Sequence, residues 1–261
     1  MRQFVLFLAI AILAVYPTAA QEKPKTETPK ADAAKADTKP AAGMPTVDEL
    51  IDKHIKALGG KEAIEKITSR SAKGSFEIEA MNMTGALEMY AKAPNKNAMK
   101  IDLPGVGVVN TVYDGAKAWD SNPMTGLREL TGAELAAMKR RADFNPELNF
   151  KKYYTKMEVK GKEKIGANEA YVVVATPVEG EPEKIYFDIN SGLIVRRDVE
   201  ADGPQGKMPT EIYTEDYKVV DGVKFAHTIK QINPMFAATI KLTEVKTNVE
   251  IDEAKFGKPS N

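Results

Sequence analysis

Cysteine is absent from this 261-residue chain, and histidine nearly so, with His54 and His227 alone. Without cysteine there are no disulfides, iron–sulfur clusters, thiolate zinc sites or cysteine nucleophiles. Two histidines leave little room for imidazole catalysis or a multi-histidine metal site. An excess of charge is lacking too: 37 Lys and Arg face 37 Asp and Glu. That balance argues against a nucleic-acid partner, which needs a basic face. Neither a G-x-S-x-G elbow, an H-E-x-x-H helix, a Walker loop nor an EF-hand loop occurs. Gly105-Val-Gly107 is a two-glycine fragment in a strand context. Asp188-Ile-Asn-Ser-Gly192 lacks the later bidentate glutamate of a calcium loop and reads as a β-turn. Glu77 and Glu79 are paired carboxylates on a face that the pattern leaves to solvent. The expectation is therefore no catalytic residue, no metal and no cofactor. An apolar fraction of 43% supplies a real core, and the composition leans toward binding.

The first twenty residues read as an export signal. Arg2 gives a positive start, Phe4 to Val15 is a run of twelve apolar residues, and Thr18-Ala19-Ala20 is a small-residue exit. The run is shorter than the roughly 20 residues that a bilayer-spanning helix needs. Cleavage near Ala20 would release a soluble periplasmic protein. It would carry no lipid anchor, since no cysteine follows. Residues 21–45 are rich in Lys, Ala and Pro and have almost nothing to bury, so they read as a disordered linker. The folded domain is expected over 46–261.

That domain should open with a helix. Thr46-Val-Asp-Glu49 has capping-box spacing, Val47, Leu50, Ile51, Ile55 and Leu58 recur at helical period, and Gly59-Gly60 stops the run. His54 sits beside this stripe as a packing residue. A second short helix is expected over Lys61–Ile67. The period then becomes two: Ala72, Gly74, Phe76, Ile78 and Ala80 alternate with charged or polar neighbours. Strands follow near 87–91, 99–103, 106–113 and 116–120. One helix interrupts, with capping-box spacing at Thr131-Gly-Ala-Glu134 and a narrow face of Leu135, Met138 and Ala142. Strands resume near 156–164, 169–176, 184–189, 193–200, 210–219, 223–232 and 238–245. Short turns at Asp114-Gly115, Gly166-Ala-Asn168, Asn190-Ser191-Gly192 and Asp221-Gly222 imply antiparallel neighbours. The fold class is thus mainly β with a few helices. About eleven strands in one strongly curved antiparallel sheet suit an incomplete barrel with helices over its open concave side.

A curved sheet cannot fill its concave side with its own side chains alone. The alternation nominates Phe76, Ile78, Leu87, Met89, Met99, Ile101 and Phe225 as cavity-lining, with Leu135 and Met138 on the covering helix. His227 shares a strand face with Phe225 and reads either as a polar group orienting a ligand or as a core-edge ring satisfied by backbone. The methionines of the first strands suit varied apolar ligands, and equally suit gap-filling in a core.

Several stretches carry a resemblance. Asp48 to Phe76, Tyr113 to Gly126, Tyr186 to Arg197, Val220 to Ile229 and Val249 to Pro259 look, in that order, like bacterial outer-membrane lipoprotein-sorting-like proteins. The resemblance covers about residues 46–259. It implies the LolA/LolB-like fold: an incomplete antiparallel barrel of eleven strands, plugged by helices. It also implies a periplasmic carrier or chaperone that shields acyl chains of lipids or lipoproteins, and donor and acceptor proteins at the inner or outer membrane. The group's early functional arginine is not carried over to Arg70, which precedes a clear motif. The chain is expected to be a monomer. A second reading keeps the fold but makes it a scaffold or sensor acting through protein–protein contacts.

Overall fold

The computed structural model describes residues 43–203 and 206–259. The expected export signal and all but the end of the expected linker lie outside the described residues. Helix α1 spans Val47–Leu58 and is capped as its sequence dictates: the Glu49 amide donates to Thr46 Oγ1 and the Thr46 amide to Glu49 Oε2. Leu50, Ile51, His54 and Leu58 are its buried stripe. Gly59 ends it at φ 130°, and a Cβ there would stand 2.1 Å from the Gly222 carbonyl oxygen. Glycine is thus required both by the backbone angle and by the close approach of a strand turn. Helix α2, Lys61–Glu65, follows at once.

Six strands come next: β1 Ser69–Ile78, β2 Met83–Lys92, β3 Lys96–Leu103, β4 Gly107–Tyr113, β5 Ala118–Asn122 and β6 Gly126–Leu130. The chain then crosses the structure through α3, Gly132–Arg141, a 3-10 turn at Pro146–Leu148, and α4, Phe150–Tyr153. Seven strands return: β7 Tyr154–Ile165, β8 Asn168–Pro177, β9 Glu183–Asp188, β10 Ile194–Gly203, β11 Gly206–Val220, β12 Val223–Ile232 and β13 Ala237–Thr247. All thirteen form one antiparallel sheet in the order β6-β5-β4-β3-β2-β1-β13-β12-β11-β10-β9-β8-β7. The last strand pairs with the first, Arg70 opposite Thr247 and Phe76 opposite Ile240. The free edges are β6 and β7, so the curved sheet is an incomplete barrel. At a bulge beside Gly74 the β13 backbone comes so close that a Cβ would lie 2.0 Å from the Lys241 carbonyl oxygen.

The fold class stands as expected, with corrections in detail. The described residues form thirteen strands rather than about eleven. β6 is one that the pattern did not reveal, because Leu127 and Leu130 do not alternate at period two. Ala80 leaves the strand for an exposed 3-10 turn over Glu79–Met81. α3 ends at Arg141, one residue before Ala142 of its expected apolar face. Thr131 makes no side-chain cap, and the Glu134 carboxylate, which a capping box would turn back to the Thr131 amide, accepts a hydrogen bond from Arg128. Asp188 Oδ1 accepts from the Asn190 and Ser191 amides, as in a tight turn.

Apolar packing fills the concave side at both ends. α1 and Phe150 press on Val173, Ile185 and Phe187. Farther along the sheet, Phe76, Ile78, Leu87, Ile101 and Leu103 pack with Val109 and Phe236. The side chain of His54 fits into the first cluster, edge-on to Phe187 at 5.8 Å between centroids, with its Nδ1 3.1 Å from the Gly192 carbonyl oxygen. On the opposite face Trp119 and Ala98 are covered by Ile251 and Phe256 from the C-terminal segment.

Candidate functional site: an interior cavity with buried charge

Between those two packed regions lies a cavity of about 300 Å³. Its roof is α1, α2 and the crossover, through Leu58, Ile64 and Phe144; its walls include Ala72, Met89, Ile229 and Leu242 from the sheet. The wall is apolar because strands near the seam point small and aliphatic residues inward. It stays unfilled because Ala72 and Ala91 are too short to reach the roof.

Lys224 of β12 lines it, as do three more deeply enclosed charged side chains: Arg70 from β1, Glu147 from the crossover and Arg197 from β10. Each is deeply enclosed yet keeps some accessible surface, as lining a cavity requires. Their electrostatic situations differ. Burial draws Arg197 down, but Glu183, Tyr154 and Glu147 together outweigh it and hold its pKa above the ordinary arginine value. The Arg197–Glu183 separation is 3.8 Å. Arg70 has no such support. Desolvation lowers its pKa, and Glu147 is the one opposing charge. Among the described residues it makes no hydrogen bond or ion pair; its guanidinium is flanked by aromatic rings, 5.1 Å from the Phe225 centroid and 5.8 Å from that of Phe144. Glu147 is pushed above the usual carboxylate range by desolvation, with its own backbone amide, Arg70 and Arg197 pulling the other way. By contrast Thr214 and Tyr217 spend their hydroxyls on the Ile194 carbonyl.

The residues nominated from sequence divide. Met89 and Phe225 line the cavity. Phe76, Ile78, Leu87 and Ile101 are buried in the solid cluster beside it, with Met99 packed on that cluster. Leu135 and Met138 pack under α3 against Tyr113, Ala118 and Leu130, away from the cavity. His227 is buried with Nδ1 2.9 Å from the Phe225 carbonyl oxygen, the backbone-satisfied arrangement. The three charged residues are not among those nominated. Arg70 carries a usable signal, since it shares strand parity with Ala72, Phe76 and Ile78. Arg197 does not, because a register irregularity near Ile194 shifts the parity of β10. Glu147 lies in irregular chain with no period at all.

Compared with known proteins, the chain matches no family model and no curated protein sequence. Solved structures do match in fold. A DUF1329 family protein from Desulfovibrio piger aligns with TM-score 0.56 at 13% identity, over 81% of this chain and 97% of that one. A LolA superfamily protein from Nitrosomonas europaea gives 0.54 at 12% identity, over 82% and 99%. A putative outer membrane lipoprotein-sorting protein domain from Vibrio parahaemolyticus gives 0.52 at 13% identity, over 80% and 97%. The fold is that of the LolA-like group.

Proposed function

We propose that this protein is a periplasmic carrier that shelters an acyl chain of a lipid or lipoprotein in its interior cavity, by burial and without catalysis. The observation that carries the reading is the cavity itself: bounded by helices and sheet, partly open to solvent, mostly apolar in lining, and about 300 Å³ in volume. That volume falls at the lower end of the range of roughly 300–1,000 Å³ typical of small-molecule sites. Each methylene moved from water into such a wall contributes about 0.8 kcal/mol. Their sum must exceed the cost of association and chain ordering, about 4–15 kcal/mol, before any of it appears as affinity. The likeness in fold to the LolA-like group supports the same reading, and the signal-like N-terminus supports export.

Mass spectrometry of lipid extracted from the purified periplasmic protein tests it, together with displacement of a fluorescent fatty acid. Met89→Trp is expected to fill ligand space and to weaken binding on the order of tenfold, equivalent to about 1.4 kcal/mol. Met99→Trp pushes into the solid cluster, so it should lower stability by about 1–3 kcal/mol and leave affinity nearly unchanged. Protein that yields no lipid and takes up no fatty acid would overturn the carrier reading in favour of a scaffold acting through protein contacts.

A further inference from the structure

The cavity is apolar in most of its lining, yet it holds Arg70, Glu147, Arg197 and Lys224, and a purely hydrocarbon ligand would leave Arg70 without a partner. Burying charge without a partner is costly, and such groups are normally paired or hydrogen-bonded. Arg70 is neither among the described residues. Glu147 is close enough to Arg70 and Arg197 to influence both, but no ion pair within 4 Å joins it to either. Counting Glu183, which faces Arg197 at 3.8 Å, the cations Arg70, Arg197 and Lys224 against Glu147 and Glu183 sum to one net positive charge with Glu147 ionised and to two with it protonated. The interior potential is therefore positive in either form and asks for an anion.

We propose that the cavity binds a single-chain amphiphile with an anionic headgroup, a carboxylate or a phosphate, the head held by Arg70 and Arg197 and the chain laid along the wall of Met89, Ile229 and Leu242. This rests on the carrier reading and narrows its ligand class. Arginine suits such a head, because its planar donor fork matches carboxylate and phosphate alike in bidentate fashion. Arg70 is the freer of the two, since Arg197 already faces Glu183 at 3.8 Å. Glu147 then acts as the resident counter-charge that an incoming head must outcompete, which makes loading reversible. Volume limits the tail. A cavity of about 300 Å³ lies at the small end of the range for ligand sites and suits one chain of modest length.

Calorimetry on the delipidated protein with decanoate, decyl phosphate and decanol tests this, because the three share a tail and differ in the head. The expected result is that at least one anion binds on the order of tenfold tighter than decanol, about 1.4 kcal/mol. The tighter anion assigns the head as carboxylate or phosphate. Arg70→Gln should collapse the anion-to-alcohol ratio toward one, and Glu147→Gln should raise it. These opposite signs would not come from a merely structural role. If Arg70→Gln fails to fold, the native ratio and the Glu147→Gln arm still decide. Equal affinity for the three ligands, or a ratio that Glu147→Gln does not raise, overturns the headgroup assignment and leaves the carrier standing. Failure of all three to bind removes the carrier reading and the assignment with it.

Discussion

His54 enters the core as a neutral ring. Burial draws its pKa from 6.5 to about 4, opposed by the hydrogen bond to the Gly192 carbonyl and assisted by the charge of Arg197. The unfolded chain takes up a proton near pH 6.5, whereas the folded one resists until about pH 4. Between those values the unfolded state binds more protons, so stability is present above pH 6.5 and drains away as pH falls toward 4. Integrating the two titrations gives a loss of about 2 kcal/mol between pH 7 and pH 5. Glu147 has the opposite sign, since its raised pKa favours the fold as pH falls. Comparison with His54→Gln isolates the histidine term. The variant should be less stable at pH 7 but should lose about 2 kcal/mol less between pH 7 and 5 in urea unfolding. Parallel pH profiles for the two proteins would show that the ring is not held neutral.

Elements differ in how much of them the sequence announces. α1 is legible in full because its cap, stripe and stop all agree. The strands β1 and β2 are legible because one face is buried and the other wetter. β6 is not, since it is five residues long and its two leucines, three apart, break the strand period of two. The α3 cap misleads because tertiary structure gives Glu134 a better partner in Arg128. The site is legible only in its apolar part: alternation finds Met89 and Phe225, but it cannot say which inward residues meet packing and which meet space. That distinction depends on where the crossover segment places Phe144 and Glu147, a long-range fact. The C-terminal 3-10 turn at Glu253–Phe256 is another such element. Phe256 is 1% exposed and seals Trp119, the one tryptophan of the chain. Phe256→Ala should cost about 3–5 kcal/mol, and it should shift Trp119 emission to the red as water reaches the indole. Unchanged emission would mean that Ile251 and the sheet cover the ring unaided.

On the scale of the whole molecule, the governing feature is that the first and last strands meet in the middle of the sheet. β1 and β13 are neighbours, so residues 70 and 247 must meet before the two halves become one surface. Closing so long a loop makes this seam a nonlocal and slow contact, as in other β-rich folds. Once made, it is the most enclosed part of the sheet, with a hydrogen-bonded strand on either side of each partner. The edges are built differently. β6 is five residues long, and β7 carries Lys156, Glu158, Lys160, Lys162, Glu163 and Lys164, a charge density that discourages pairing with another chain. Stability should therefore grade outward from the seam. Native-state hydrogen exchange is expected to show β1, β2, β12 and β13 opening only with global unfolding, and β6 and β7 exchanging first through local fraying. Because Arg70 stands on the seam strand β1 and Arg197 on β10, beyond β13, β12 and β11, ligand that bridges them should slow exchange in β10 and β11 while leaving β6 unchanged. Edges as protected as the seam would mean that β6 and β7 pair in solution and close the barrel.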